Sequence, residues 1–117
     1  ERPERFDVIV TDNLFGDILT DLGGAVAGGV GYAASANLNP ARTGPSMFEP
    51  VHGTAPDIAG QSKANPIAAI ISLQLMLEFL GEPDAAAKVA AACSDPTRYL
   101  GSTVEIGDAV ADAVKNA

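Results

Sequence analysis

The segment from Ile67 to Leu80 constrains the fold most, because it leaves only a narrow polar stripe at Gln74 and Glu78. A helix with so little polar surface has to lie at the centre of a protein, where other elements cover it on nearly every side. Asn65 is a favourable N-cap residue, and Pro66 is a favourable first helical residue. The sequence therefore predicts a central helix, almost wholly buried, that begins directly after Asn65.

The stretch that precedes this helix, residues 48–66, is polar and is interrupted by several glycines and prolines. Such a composition excludes a helix or a central strand and predicts a shaped loop on a rigid base, which is where binding residues concentrate. Gly53 lets a ligand approach the backbone closely, and Pro56 stiffens the turn. The carboxylate of Asp57 offers two acceptor oxygens that suit a sugar diol, such as the ribose of a nucleotide.

Three segments have the composition of short strands, and together with the helical patterns they predict an α/β fold. Phe6 to Thr11 is rich in β-branched residues, and residues 33–38 and 46–51 are shorter candidates. A sheet of three strands is below the usual ~5 to 6, so we expect that some pairing partners lie outside this sequence. The glycines of residues 28–31 do not have the spacing of a Rossmann fingerprint, and we interpret them as the exit of a helix.

Three further helices are predicted around the central one. The first begins at Asp12 or Asn13, and the second occupies residues 83–93. The last begins at Ser102, whose hydroxyl is placed to form a capping box with Glu105. The apolar face of the first helix consists of Phe15, Ile18, Leu19, Leu22 and Val26, and that of the last helix consists of Ile106, Val110, Ala113 and Val114.

Asp17 and Asp21 are candidates for metal ligands on the first predicted helix. They are one helical turn apart, so both project from the side opposite its apolar face. Two carboxylates in this arrangement can supply oxygen ligands to a hard cation such as Mg²⁺ or Mn²⁺. The alternative is that both carboxylates face water and favour the helix dipole; from spacing alone, that structural explanation is preferred.

The charge and the cysteine content exclude several classes of function. Seven Lys and Arg against fifteen Asp and Glu give a net charge of −8, which argues against a nucleic acid or an anionic membrane as a partner. No apolar run approaches the ~20 residues that a bilayer requires, and no signal peptide is recognisable. Cys93 is the only cysteine, so we interpret it as a small buried side chain and expect a reducing, cytoplasmic environment.

Two motifs resemble those of one known family. The run His52-Gly-Thr-Ala-Pro-Asp-Ile-Ala-Gly60, followed by Ala64-Asn-Pro66, resembles the adenosine-binding loop of the isopropylmalate and isocitrate dehydrogenase family. The run from Asn13 to Asp21 is similar to the metal-binding helix of that family. The resemblance covers Phe6 to about Leu80 and implies that the chain corresponds to the C-terminal third of such an enzyme.

The resemblance also implies how the chain is organised. It implies a fragment of the family's two-domain α/β fold, whose sheet does not have the Rossmann topology. Residues 1–31 would form a strand and the metal-binding helix of the domain that makes the dimer. Residues 32–117 would form the C-terminal part of the nucleotide-binding domain.

The resemblance assigns roles to the candidate site residues. Asp17 and Asp21 would bind Mg²⁺ or Mn²⁺, with a third carboxylate from the partner subunit of a homodimer. The cofactor would be bound by Glu49, His52, Gly53, Thr54, Ala55, Pro56, Asp57, Ile58 and Asn65. Within this set, His52 and Asn65 would contact adenine and Asp57 the ribose. Because a carboxylate accepts from a free 2′-hydroxyl and repels a 2′-phosphate, Asp57 predicts NAD rather than NADP.

Two of these assignments depend on the family motif. Without it, His52 would be interpreted as a structural histidine that ends the loop. Glu49 would be nearly as well explained as an exposed carboxylate that follows a strand. Lys63, which lies in the same loop, is most simply a solvated charge.

The activity that the resemblance implies is the NAD-dependent oxidative decarboxylation of a 2-hydroxy acid by the full-length protein. The first candidate substrate is 3-isopropylmalate, an intermediate of leucine biosynthesis. Isocitrate, homoisocitrate and tartrate stay open, because the family's substrate-reading residues lie upstream of this sequence. The family's catalytic Tyr and Lys lie there too, so no catalytic residue is assigned and the chain alone is expected to be inactive. A stand-alone nucleotide-binding module without catalysis is the alternative from another class.

Overall fold

The computed structural model describes residues 2–26 and 28–117, which form one α-helix, a two-stranded sheet and then three further α-helices. The elements are α1 (Asn13–Val26), β1 (Ala34–Asn37), β2 (Met47–Pro50), α2 (Ile67–Leu80), α3 (Pro83–Cys93) and α4 (Thr103–Lys115). This mixture of helix and sheet confirms the predicted α/β class. Glu1 and Ala27, which the predicted unit 1–31 includes, lie outside the described residues, and the division at residue 31 stays a prediction.

The sheet is an antiparallel hairpin that confirms two of the predicted strands. β1 pairs with β2 so that Ala34 lies opposite Pro50 and Asn37 lies opposite Met47. Each strand is one residue shorter at both ends than predicted, although the Val51 N–H still donates to the Ala33 carbonyl at 3.0 Å beyond the paired residues. This loop is anchored to α2, since the guanidinium of Arg42 donates to the carbonyl of Phe79 and lies 4.5 Å from the centroid of its ring.

The prediction of a third strand, from Phe6 to Thr11, is wrong. Within the described part of the chain the sheet consists of β1 and β2, and residues 6–12 pair with neither. A strand exists only where a neighbour satisfies its backbone hydrogen bonds, whatever its β-propensity. The apolar side chains of this segment are largely exposed, and Val10 retains 93% of its accessible surface.

The core lies between α2, α3 and α4. It is formed by Ile67, Val89, Ala92, Cys93, Ile106 and Val110, all of which are buried. Truncation of a fully buried side chain such as Ile67 to alanine typically costs about 2–5 kcal/mol of folding free energy. Cys93 lies in this core as predicted, and burial raises the pKa of its thiol while the nearby charge of Arg98 opposes that rise.

α2 occupies the predicted central position, but the prediction that it is almost wholly buried is wrong. It contacts the hairpin on one side, where the rings of Phe48 and Phe79 are 5.8 Å apart, and α3 on another. Leu73 and Leu80 are exposed, because none of the described elements covers that side of the helix. No helix among the described residues combines the length and the hydropathy needed to cross a lipid bilayer.

The predicted end of α2 and the predicted start of α4 are confirmed. Asn65 Oδ1 accepts from the Ile67 backbone N–H at 2.9 Å, although α2 begins one residue later than predicted. Gly81 ends α2 in a left-handed conformation with φ 87°. Ser102 and Glu105 form the capping box: Ser102 Oγ accepts from the Glu105 N–H at 3.3 Å, and Glu105 Oε2 accepts from the Ser102 N–H at 2.8 Å.

α1 presents its polar face to the rest of the chain. Gly24 is buried, and a side chain there would lie 3.5 Å from both Val30 and Ala33. Asp17 is seven residues earlier and therefore lies on nearly the same face. The described residues leave the opposite face uncovered: Phe15, Ile18, Leu19, Leu22 and Val26 are between 45% and 70% exposed. The predicted helix exit is confirmed, since the Gly29 N–H donates to the Gly24 carbonyl at 2.8 Å.

Candidate functional site

The loop between β2 and α2 has an unusually constrained backbone. Ala55, Gly60 and Ser62 have φ values of 44°, 74° and 55°, in the left-handed region that residues other than glycine seldom adopt. Residues Pro56–Ile58 form a single 3-10 turn, and the side chain of Gln61 donates to the Asp57 carbonyl at 2.8 Å. Strained conformations of this kind cluster at ligand sites, where the surrounding structure holds them.

Two cavities open against this loop. The first has a volume of about 420 Å³ and is lined by residues of the loop from His52 to Ala64 and by the first two residues of α4. The second has a volume of about 330 Å³. Its lining residues are Val30, Gly31, His52, Gly53, Ala55, Ile58, Ala64 and Asn65. The loop therefore separates two adjacent hollows that share residues 52, 53, 55, 58 and 64.

A single hydrogen bond of the His52 side chain determines what its ring offers to a ligand. Its Nδ1 lies 3.0 Å from the carbonyl oxygen of Gly53. A carbonyl can only accept a hydrogen bond, so Nδ1 carries the proton. In the neutral ring, Nε2 is then an acceptor. His52 lines both cavities and presents an acceptor that a ligand amino group can use.

Asn65 offers hydrogen-bond donors, in contrast to the acceptor of His52. Its Oδ1 accepts from the Ile67 N–H in the cap of α2, which commits the amide oxygen to the helix. The amide nitrogen keeps two donor hydrogens, and the side chain lines the second cavity. One cavity wall thus combines an acceptor at His52 with a donor at Asn65.

A third cavity, of about 590 Å³, lies between α1 and the hairpin. Its polar lining residues include Asp17, Thr20, Ser35, Asn37 and Glu49, and it shares His52 and Gly53 with the other two cavities. Carboxylate, hydroxyl and amide oxygens are the ligands that Mg²⁺ and Mn²⁺ prefer, so the donors present fit such an ion. Within residues 2–26 and 28–117, no three acidic, histidine or cysteine side chains meet closely enough to hold a metal.

A sequence profile of the isocitrate/isopropylmalate dehydrogenase family matches residues 1–115. The chain belongs to this family. The family predicted from the two sequence motifs is therefore confirmed, over a longer part of the chain than the motifs themselves cover.

Sequence relatives of this family are similar to the chain along almost its whole length. The 3-isopropylmalate dehydrogenase of Nocardia farcinica is 64% identical over 115 residues, which are 96% of this chain and 34% of that protein. The enzyme of the same name from Thermobifida fusca is 59% identical over 119 residues, or 97% of this chain and 34% of that protein. The chain thus spans about a third of the length of the curated relatives it matches.

Solved structures of the family share the backbone fold of this chain. An isocitrate dehydrogenase from Methylococcus capsulatus superposes with a TM-score of 0.87 at 41% identity, covering 97% of this chain and 36% of that one. A β-decarboxylating dehydrogenase from Thermococcus kodakarensis in its apo form gives a TM-score of 0.71 at 37% identity, covering 93% and 34%. These likenesses confirm that the chain folds as one part of the larger family fold.

The structure brings most of the predicted family residues together. His52, Gly53, Thr54, Ala55 and Ile58 line the first cavity, and all of these except Thr54 line the second with Asn65. Asp17 and Glu49 line the third cavity. Three predicted residues, Asp21, Pro56 and Asp57, are not among the lining residues of these cavities.

The first turn of α4 contributes to the first cavity, which no motif in the sequence indicates. Thr103 and Val104 line the first cavity although they are far from the loop in sequence. The capping box predicted where α4 begins, but no periodicity or motif indicates which loop its first turn will touch. Val30 and Gly31, which line the second cavity, were interpreted only as part of a helix exit.

Proposed function

We propose that this chain supplies the cofactor loop and two metal ligands of an NAD-dependent oxidative decarboxylase of a 2-hydroxy acid. The pairing of His52 and Asn65 in one cavity carries the proposal. Adenine presents an amino donor next to a ring-nitrogen acceptor. The free Nε2 of His52 and the free amide hydrogens of Asn65 match that pattern, and Ala55 and Ile58 add apolar lining for the ring.

The remaining candidates extend the site toward the chemistry. Asp17 and Asp21 would hold Mg²⁺ or Mn²⁺, with a third carboxylate from the partner subunit of a homodimer. When bound, NAD accepts a hydride from the substrate and the metal polarises the substrate oxygens. Because His52 and Gly53 border all three cavities, they would hold the cofactor next to the metal region, and Glu49 would line the junction.

Asp57 is the proposed determinant of cofactor choice. It precedes Ile58, which lines both loop cavities, and its exposed carboxylate would accept from the ribose 2′-hydroxyl. A 2′-phosphate at the same place would be repelled. The backbone carbonyl of Asp57 accepts a hydrogen bond from the Gln61 side chain, which stabilises the turn. The Asp57 carboxylate takes no part in this bond and would be available to the ligand.

Substrate identity is supported by the relatives. Those named 3-isopropylmalate dehydrogenase are 59% and 64% identical to this chain, compared with 41% for the isocitrate dehydrogenase of known structure. We therefore propose 3-isopropylmalate as the substrate. The single cysteine, buried at Cys93, supports the reducing cytoplasm as the proposed location. In the full-length protein, kcat/KM for 3-isopropylmalate should exceed that for isocitrate, homoisocitrate and tartrate; a preference for another of these acids would overturn this choice.

The cofactor proposal is tested by calorimetric titration of the purified protein, as the 117-residue chain and in full length, with NADH and NADPH. We expect NADH to bind the full-length protein more tightly than NADPH, and Asp57→Ala to reduce that preference at least tenfold. Equal affinities for both cofactors in the unchanged full-length protein would contradict the role of Asp57. No binding of either would contradict the nucleotide-binding proposal as a whole.

The metal proposal is tested with Asp17→Asn combined with Asp21→Asn in the full-length protein. This variant should lose its activation by Mn²⁺. Asp108→Asn combined with Asp112→Asn is the matched control, because these exposed residues of α4 have the same spacing and lie outside the three cavities. Equal Mn²⁺ activation of the first variant and the control would rule out Asp17 and Asp21 as ligands.

A further inference from the structure

We infer that Thr103, the first residue of α4, is a positioning residue that holds the cofactor loop in its binding shape. This inference rests on the proposed cofactor function. The backbone N–H of Thr103 donates to the Ser62 carbonyl at 2.8 Å, and its Oγ1 donates to the Ala64 carbonyl at 2.6 Å. One residue therefore fastens the loop on both sides of Lys63.

The fastened segment is the part of the loop that needs external support. Ser62 has a φ of 55°, which costs free energy for a residue with a side chain, and it follows Gly60 with a φ of 74°. Residues 59–64 are exposed, so their own side chains contribute little packing to hold this conformation. The two bonds from Thr103 connect the segment to a rigid element at the point of strain.

α4 is suited to serve as that rigid element. Its first turn is closed by the capping box of Ser102 and Glu105, and its next turns place Ile106 and Val110 in the buried core. The first turn of α4 cannot shift without disturbing the core. Thr103 is therefore fixed in space and transmits that fixed position to the loop.

Thr103 would influence ligand binding by restraining Asn65. Its backbone follows Ala64 directly, and its Oδ1 is already bound to the Ile67 N–H at 2.9 Å. Thr103 fixes the chain on one side of Asn65 and the cap of α2 fixes it on the other. The donor hydrogens of the Asn65 amide are thereby aimed before a ligand arrives, which reduces the entropy lost on binding.

The test uses Thr103→Val, which keeps the shape of the side chain but lacks the hydroxyl, and Thr103→Ser, which keeps the hydroxyl. Thr103→Ala is a second variant without the hydroxyl and with a higher helix propensity. All three are made in the full-length protein, and circular dichroism verifies their fold. The first readout is the rate of tryptic cleavage after the exposed Lys63 without cofactor, followed by mass spectrometry.

We expect Thr103→Val and Thr103→Ala to be cleaved after Lys63 several times faster than the unchanged protein. Their Kd for NADH and KM for NAD should rise about three- to tenfold, the effect of one hydrogen bond, with kcat nearly unchanged. Thr103→Ser should match the unchanged protein in every respect. This rescue distinguishes a bond from the hydroxyl from a general loss of packing.

Three results would overturn the inference. One is cleavage and NADH affinity of Thr103→Val and Thr103→Ala equal to those of the unchanged protein. Another is a loss in Thr103→Ser as large as that in Thr103→Val. The third is that the unchanged protein binds no NADH, while Thr103→Val is still cleaved faster. This result would overturn the proposed function and with it the role of Thr103 in cofactor binding. The fastening of the loop by Thr103 would still stand.

Discussion

At Asn65 a single side chain contributes to both the fold and the candidate site. Its amide oxygen accepts from the first N–H of α2, and the same side chain, with its amide hydrogens uncommitted to the helix, belongs to the lining of the second cavity. The two contributions use different atoms, so substitutions can separate them. This makes Asn65 the residue at which stability and cofactor affinity are most cleanly compared.

We predict that Asn65→Asp keeps the stability and loses the affinity, whereas Asn65→Ala loses both. The aspartate still accepts from the Ile67 N–H, but it has no donor for adenine. The alanine also removes the cap, at a cost of about 1 kcal/mol in unfolding free energy. Chemical denaturation and NADH titration of both variants provide the comparison. Unchanged NADH affinity in Asn65→Asp would contradict the adenine contact.

The two ring nitrogens of His52 allow a similar separation. Glutamine can place an acceptor near the position of Nε2, whereas asparagine reaches only the position of Nδ1, which bonds to the Gly53 carbonyl. We predict that His52→Gln binds NADH more tightly than His52→Asn, by up to about tenfold for one hydrogen bond. The reverse order in a titration would show that His52 serves the loop and not the ligand.

At the scale of single elements, α4 shows how local chemistry determines a helix end. The backbone N–H of Ser102 and then its hydroxyl lower the pKa of Glu105, because both bonds favour the charged carboxylate. A lowered pKa in the folded state means that the stabilisation is fully present above the unfolded pKa of about 4.3. It is lost as the pH falls through the lower folded value.

We therefore predict that Glu105→Gln lowers the melting temperature at pH 7. This difference should shrink as the pH falls from about 4.3, where the unfolded chain begins to protonate, through the lower pKa of the folded carboxylate. Ser102→Ala removes the other half of the capping box and should cost about 1 kcal/mol. Asp108→Gln on the exposed part of the same helix is the control for a lost charge. A Glu105→Gln deficit independent of pH down to pH 3 would contradict this account.

The elements that the sequence predicts correctly are those whose signals are local. The capping box of α4, the glycine that ends α2 and the cap at Asn65 each act within a few residues, so they are readable without the fold. Phe6 to Thr11 has the propensity of a strand, but pairing depends on a neighbour that the described chain does not supply. The exposed sides of α2 were likewise mispredicted, because hydropathy does not reveal which covering elements are present.

The residues of the candidate site likewise fall into those that a local motif predicts and those that depend on contacts distant in sequence. The cavity residues Gly53, Thr54, Ala55 and Ile58 could be predicted because they belong to one continuous motif, and Asp17 because it is part of another. The role of Thr103 could not be predicted, because its bond to Ala64 joins residues 39 positions apart and produces no periodic pattern in the sequence. The absence of Asp57 from the cavity walls was also unpredictable, because it depends on the direction of one 3-10 turn.

At the scale of the whole molecule, α1 is oriented against the usual rule. Its polar face is turned toward the hairpin, and none of the described residues covers its apolar face, on which five large side chains are exposed. Contiguous apolar surface of this kind generally marks a contact with other protein. Relatives of about three times the length have further chain that can supply such a contact.

We predict that the 117-residue chain by itself associates through this face. Phe15→Ser combined with Leu22→Ser should shift sedimentation-velocity profiles toward the monomer, because both side chains are exposed and contribute little to the folded core. Leu100→Ser is the matched control, as Leu100 is 87% exposed and lies far from α1 in sequence. Equal association of the double variant and the unchanged chain would mean that another surface is responsible.

The fastening of the loop by Thr103 also has a consequence for the order of folding. Caps and helix bonds connect neighbours and can form early, whereas the bond to Ala64 closes only after α2, α3 and α4 have packed. The ability to bind a nucleotide should therefore be acquired last during refolding. In a stopped-flow experiment, the fluorescence of added NADH would change after the helical circular dichroism has recovered.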